Sequence, residues 1–321
     1  MEKRRVTVNY PKPHYPKPHL IEIAVYEWCN RECKFCGFYT FKQKVKEINS
    51  INLQLIKKIA EDLKTWYYNP RINFSTFGEP FLHNEFPEII RIFRKTLPNC
   101  YLSAFTNTDT LKTKTKLDIK KIKNIFDCGL NHLGLDCYDG KQQVEEYMRV
   151  VSLLKDFTVQ NFENCKIPIY HKHKPKTKLI TIIPCYKKQK GIRKRHNMGG
   201  NVDTTVAKSI GETIGEVKNP LKKMCTRPFR DLIIRYDGTV NICCNDWQNE
   251  FIVGKFPEHS LKEIWEGKKL MQVREQLQQK IRLFKPCNKC NYYGGTRQGL
   301  IQKVTTGFSG KKEEGLAKWI S

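Results

Sequence analysis

No apolar run in the 321 residues approaches the roughly 20 that a membrane-crossing helix requires, so a membrane partner is not expected. The first 19 residues, MEKRRVTVNYPKPHYPKPH, form a basic, Pro-containing arm that lacks the apolar core of a secretory signal. A reducing, cytoplasmic compartment is therefore the expectation. Acidic residues are scarce: 32 Asp and Glu face 58 Lys and Arg, for a formal net charge of +26. The basic residues concentrate in 166–196, which holds eleven Lys or Arg and no acid, and in LKTKTKLDIKKIK at 111–123. Such runs either meet an anionic substrate or nucleic acid, or are solvated surface. No RNA- or DNA-binding motif accompanies them, which leaves solvated surface as the simpler reading. Internal repeats are also absent.

Hydrophobic residues still make up 39% of the chain, enough to build a folded core. Strand-like and helix-like stretches take turns along it. LIEIAVYEW (20–28), INFSTF (72–77), CYLSAFT (100–106), NHLGLDC (131–137) and KLITIIP (178–184) read as strands. LQLIKKIAEDLKTW (53–66), EFPEIIRIFRKTL (85–97), LDIKKIKNIF (117–126) and QQVEEYMRVVSLL (142–154) read as the helices between them. Strands joined by helical crossovers imply a parallel sheet, either open and doubly wound or a full or partial barrel. In each case the site belongs at the carboxyl ends of the strands. Beyond about residue 196 the pattern changes. LIIRYDGTVNICCND (232–246) reads as a hairpin turning at Asp237-Gly238, and 260–281 as a helix that Gly267 divides. A smaller second domain is expected there.

Thirteen cysteines in a reducing compartment point to metal or catalysis rather than disulfides. Cys29, Cys33 and Cys36 are spaced i, i+4, i+7 and follow the first strand. On a helix they would share a face as core residues, but Asn30, Arg31, Glu32 and Lys34 crowd between them. A structural zinc site wants four ligands and none is close by. Three thiolates suit an iron–sulfur cluster that leaves one iron open. Later come Cys225, Cys243 and Cys244, then a C-x2-C pair at Cys287 and Cys290, a set whose spacing leaves zinc and 4Fe–4S both open. Cys100, Cys128, Cys137, Cys165, Cys185 and Cys244 have no ligand-like spacing and read as small buried hydrophobes.

The run Cys29, Cys33, Phe35, Cys36 resembles the C-x3-C-x-Φ-C signature of the radical S-adenosylmethionine (radical SAM) superfamily. Phe74–Pro80, FSTFGEP, resembles that family's Gly-Glu-Pro motif, with Gly78, Glu79 and Pro80 placed to hold the methionine ammonium. FTNT (105–108) resembles its third-strand ending, which makes Thr106 and Asn107 cofactor neighbours. Residues 129–140 stand where the family's fourth-strand segment belongs, with Asp136 the candidate ribose contact, although Asp136-Cys137-Tyr138-Asp139-Gly140 departs from the usual "serine–leucine–aspartate–glycine". The later group, Cys225, Gly238, Cys243 and the C-x2-C pair, resembles the auxiliary-cluster region of SPASM and "twitch" domains. No cysteine follows Cys290, so the resemblance implies one auxiliary cluster held by Cys225, Cys243, Cys287 and Cys290.

The implied fold is α/β: a partial (β/α)6 TIM-like barrel over 20–200, a small α+β auxiliary-cluster domain over 201–321, and the arm at 1–19. The implied cofactors are S-adenosylmethionine, a 4Fe–4S cluster on three cysteines and a second 4Fe–4S cluster. The implied chemistry is reductive cleavage of S-adenosylmethionine to a 5′-deoxyadenosyl radical that abstracts a substrate hydrogen atom, the second cluster taking an electron. A flavodoxin- or ferredoxin-type reductant would supply the first electron. Family precedent includes sugar-alcohol dehydrogenation and the maturation of peptides or proteins. The short arm offers no peptide-recognition domain, and the 166–196 run would suit an anionic small molecule, so a two-electron oxidation of a small sugar-like or anionic substrate is expected. Asn197-Met198-Gly199-Gly200 resembles an Asn-x-Gly-Gly stretch common in this group. A zinc-containing nucleic-acid-binding protein is the alternative of another class, and it accounts for the charge alone. RNA methylation would need further methyl-carrying cysteines, and no such pair is evident.

Overall fold

The computed structural model describes residues 15–45, 47–66, 69–161, 177–185, 196–209, 214 and 217–292. The first 14 residues, Cys165, the segment after Tyr292 and most of the basic 166–196 run lie outside the described residues. Among the described residues no helix is long and apolar enough to cross a membrane.

The chain alternates as its periodicity predicts. β1 (Leu20–Ile23) leads through α1 (Gly37–Lys42) and α2 (Leu53–Thr65) to β2 (Arg71–Asn73). α3 (Phe86–Thr96) precedes β3 (Tyr101–Thr106), and a small ribbon of β4 (Lys112–Thr113) and β5 (Lys116–Leu117) precedes α4 (Ile119–Asp127). β6 (His132–Cys137), α5 (Lys141–Val151), β7 (Thr158–Asn161) and β8 (Leu179–Pro184) follow. After α6 (Thr204–Ser209) come β9 (Asp231–Ile234), β10 (Thr239–Asn241), β11 (Ile252–Lys255), α7 (Leu261–Trp265) and α8 (Lys268–Gln278).

Local chemistry sets the helix ends. Asn52 caps α2 by accepting from the Leu55 N–H at 2.8 Å, and Asp118 caps α4, so that helix starts two residues later than the apolar pattern from Leu117 predicts. Ser260 and Glu263 form a capping box on α7, whose Leu261 N–H also donates to Asp62 of α2 at 3.0 Å. Gly267 does divide the last helical stretch, standing as the N-cap of α8. Asp237-Gly238 makes the hairpin turn between β9 and β10. Gly238 has φ +83°, and a Cβ there would strike the Phe256 carbonyl oxygen.

Among the described residues, nine strands form one sheet in the order β11-β10-β9-β1-β2-β3-β6-β8-β7. The strands from β9 through β7 pair parallel and β9-β10-β11 pair antiparallel. The sheet is open, with β7 and β11 at its edges, as a partial barrel requires. Two features escape the sequence pattern. β7, TVQN, has no buried residue and lies outside β8 rather than between β6 and β8. The hairpin β9–β10 is hydrogen-bonded onto β1, so the C-terminal segment extends the same sheet.

Alternation splits the sheet into two faces. Ile21, Ile23, Ile72, Leu102 and Leu133 pack with Ile56, Ile59, Leu63, Ile89 and Phe93 of the helices, all of them fully buried. Each such side chain contributes roughly 1.5–3 kcal/mol by burial. The opposite face carries a polar row, since the register sets Glu22 beside Asn73, Asn73 beside Ser103 and Ser103 beside His132.

Candidate active site

The first cysteine loop leaves β1 five residues earlier than an unbroken strand over 20–28 would allow. Ala24 and Tyr26 make isolated bridges to Ser75 and Ser50 instead, and Trp28 accepts from the Glu79 N–H at 2.8 Å. Gly78 makes this contact possible. A Cβ on it would fall on the Tyr26 carbonyl oxygen and within 2.7 Å of the Trp28 oxygen. The Gly-Glu-Pro stretch is thus stitched to the chain that enters Cys29, and Pro80 opens the one-turn helix behind it. The Cys36 N–H donates to the Cys33 carbonyl at 2.8 Å, and Cys36 caps α1. All three cysteines are half-buried. The Cys29 Sγ accepts from the Arg31 N–H at 3.4 Å and from the Asn107 Nδ2 at 3.5 Å, the kind of N–H donors that thiolates need.

The ends of β3 and β6 close over the loop. Asn107 bridges to Asn30 at 2.7 Å as well as to Cys29. Thr106 is buried and its Oγ1 accepts from the Thr108 N–H at 3.0 Å. Arg31 is clasped by two carboxylates, Asp109 at 2.6 Å and Asp139 at 2.9 Å, and lies over the Tyr138 ring. Burial alone would raise Asp109, but Arg31 and Lys112 reverse it and hold the carboxyl below its usual range. Phe35 stacks on Tyr138 with ring centroids 6.2 Å apart and packs against Val202, Ala207 and Ile214. Asp136 is half-buried on β6, next in sequence to buried Cys137.

Glu79 is 3% exposed, and burial pushes its carboxyl up to about 7 against N–H donors from Asn107 and Phe81. Between pH 4.5 and about 7 the unfolded chain has lost this proton while the folded one keeps it, so stability falls as pH rises through that window. Urea denaturation of the apoprotein at pH 5 and pH 8 checks this. Glu79→Gln should remove part of the decline, and an unchanged slope would show that Glu79 is not its source.

The second group is more deeply buried. Cys225, Cys243, Cys287 and Cys290 are each 7–8% exposed. Asn245 donates its N–H to the Cys243 Sγ at 3.4 Å and Tyr292 its N–H to the Cys290 Sγ at 3.4 Å. Burial first, and then the neighbouring thiols, push Cys243 and Cys287 up, and Cys225 is raised by burial with Cys290 close to it. Four thiols sharing one dry space resist ionising together unless a metal group supplies positive charge, so this donor set fits one. Among the described residues no set of three or more ligand-type side chains converges as around a single ion. Cys244 points elsewhere. It is half-buried and hydrogen-bonded by Arg227, which corrects its reading as a small buried hydrophobe. Cys185 is likewise half-buried, whereas Cys100, Cys128 and Cys137 are buried as expected.

The family model of the radical SAM superfamily matches residues 23–167, and that of SPASM, an iron–sulfur cluster-binding domain, matches residues 225–291. The chain belongs to the radical SAM superfamily. The S-adenosyl-L-methionine-dependent 2-deoxy-scyllo-inosamine dehydrogenase of Niallia circulans is 22% identical over 278 residues, covering 84% of this chain and 92% of that protein. Among solved structures, BtrN in complex with AdoMet and 2-DOIA superposes with a TM-score of 0.61 at 20% identity, over 87% of this chain and 95% of that one. BtrN in an open conformation gives 0.56 at 17% identity, over 86% and 94%. This radical SAM enzyme therefore takes S-adenosylmethionine and iron–sulfur clusters as its cofactors.

Several residues of the radical SAM enzyme that shape the site have no signal in a motif. Arg235, one turn from Gly238, forms a buried ion pair with Glu27 and lies over the Phe77 ring at 4.5 Å. Trp247 packs on Phe41 and Phe77, in an apolar cluster against which Cys29, Cys36 and Cys244 also rest. Met198 of the Asn-x-Gly-Gly stretch accepts the Gly37 N–H on its Sδ at 3.2 Å. Glu22 is 9% exposed, burial raises its carboxyl, and its Oε2 has no hydrogen-bond partner. Arg227, Asp231, Cys244 and Thr76 surround it. A lone acid inside the LIEI strand was the available sequence clue.

Proposed function

We propose that this enzyme oxidises a carbinol carbon of a small polyol-like molecule, with Cys29, Cys33 and Cys36 holding the S-adenosylmethionine-binding 4Fe–4S cluster and Cys225, Cys243, Cys287 and Cys290 holding an auxiliary 4Fe–4S cluster. Gly78, Glu79, Pro80, Thr106, Asn107, Phe35 and Asp136 are the proposed cofactor contacts. When bound, these groups supply hydrogen-atom abstraction and a one-electron sink. The substrate carbinol loses a hydrogen atom, then one electron and one proton, and becomes a carbonyl. The proposed reductant for the first electron is of flavodoxin or ferredoxin type.

The observation that carries this reading is the shared apolar cluster of Trp247, Phe38, Phe41 and Phe77. It links the three-thiol loop to the segment of Cys243 and Cys244, which supports the reading that hydrogen abstraction and electron acceptance serve one substrate. The inner face there is polar, and Glu22 Oε2 and Asn73 Oδ1 are buried acceptors without partners, suited to hydroxyl or amine donors. Arg31, Asp109 and Asp139 hold the loop, and Trp247 and Met198 screen it from water.

Carbinol-deuterated cyclitols, 2-deoxy-scyllo-inosamine included, test it with the reconstituted enzyme under anaerobic reduction. Deuterium should appear in 5′-deoxyadenosine with one ketone per transfer, and Cys243→Ala should lose the ketone but keep S-adenosylmethionine cleavage. Cleavage without deuterium transfer from any cyclitol would overturn the substrate class.

A further inference from the structure

Arg282 follows α8 at the edge of the four-thiol group and is 1% exposed. Its Nε donates to the Lys223 carbonyl at 2.7 Å and its Nη1 to the Tyr292 carbonyl at 2.6 Å, while its Nη2 is buried without a partner. Lys223 stands two residues before Cys225 and Tyr292 two residues after Cys290. The guanidinium is therefore pinned between the two arms that bring the thiols together, and it lies within electrostatic reach of Cys225 and Cys287. No carboxylate pairs with it among the described residues, although a buried guanidinium without a counter-charge is costly. Arg274 is equally buried, is likewise held by two carbonyls, those of Pro228 and Trp265, and likewise has an Nη2 without a partner. It differs in its surroundings: the rings of Tyr15 and Trp265 cover it at 4.4 and 4.1 Å, and its electrostatic neighbours are Tyr15 and Glu266 rather than thiols.

We infer that Arg282 is a positioning cation for the auxiliary cluster: its fixed charge compensates the four thiolates and raises the reduction potential of the group they hold. This rests on the proposal that the second group holds a 4Fe–4S cluster. Accepting the one electron released as the substrate carbon becomes a carbonyl adds negative charge to a set already carrying four thiolates. A buried cation stabilises that added charge more than it would in water.

The test uses the full chain with Cys29→Ala/Cys33→Ala/Cys36→Ala, which retains the second group alone. Iron content and a potentiometric titration followed by electron paramagnetic resonance are measured with Arg282, Arg282→Gln, Arg282→Met and Arg282→Lys. The two uncharged variants should shift the midpoint to more negative potential, and Arg282→Lys should stay near the parent. If only Arg282→Lys and the parent take up iron, the charge is required for assembly and the inference stands. An unmoved midpoint in Arg282→Gln and Arg282→Met would overturn it, as would equal shifts in all three variants, which would mean packing and not charge. Zinc in place of iron in the parent would instead sink the cluster assignment and the inference with it, an outcome distinct from an iron-loaded protein with an unmoved potential.

Discussion

Replacing Cys29, Cys33 and Cys36 together by alanine is expected to lower the iron content from about eight to about four per chain and to abolish reductant-dependent 5′-deoxyadenosine formation. The three thiols come from one loop, and Asn107 and the Arg31 backbone already direct N–H donors at the Cys29 sulfur. The second group draws its thiols from other segments, around β9–β10 and the Cys287 turn, so its iron should survive the triple change. Metal analysis and anaerobic product assays on the same preparations check both halves. About four irons in the wild type with one zinc would keep the radical chemistry and remove electron acceptance by the second group. Zinc alone, with no S-adenosylmethionine cleaved, would remove the enzyme reading altogether.

Gly78→Ala should be nearly as damaging, although it changes a single methyl group. The added Cβ would meet the Tyr26 and Trp28 backbone, which no side-chain rotation relieves, and Trp28 is the residue before Cys29. The strand leading into the cysteine loop must shift or the Glu79 N–H to Trp28 contact must break. Overpacking of this kind costs about 1–3 kcal/mol. A drop in thermal midpoint together with loss of first-site iron and of S-adenosylmethionine cleavage is the expected outcome. Full iron and full cleavage in a folded Gly78→Ala protein would show that the Gly-Glu-Pro stretch does not position the loop.

The helices and most strands were legible because each buries one face. Leu55, Ile56, Ile59 and Leu63 fall at helical spacing, and all are buried. Strand lengths were overread at β1 and β2 because apolar residues continue past the point where the ladder ends. Phe74 and Val25 are buried in the core without belonging to a strand. β7 was invisible for the opposite reason, since its half-exposed polar residues show no alternation of burial. Its place outside β8 depends on which strand offers free backbone groups, a non-local property.

The chemistry-bearing pattern is written in the chain: the spacing of Cys29, Cys33 and Cys36, the Gly-Glu-Pro placed one strand later, and the C-x2-C near the end. Thiols that bind one group from one loop must be close in sequence, so their spacing is written in the chain. The folded chain alone reveals that Cys244 meets Arg227, that the Glu22 Oε2 is left without a partner on the inner face, and that Arg282 is pinned between Lys223 and Tyr292. Those pairings span up to more than two hundred residues, as Glu27 with Arg235 does, and they arise from strand register and shared burial, which no local pattern of residues encodes.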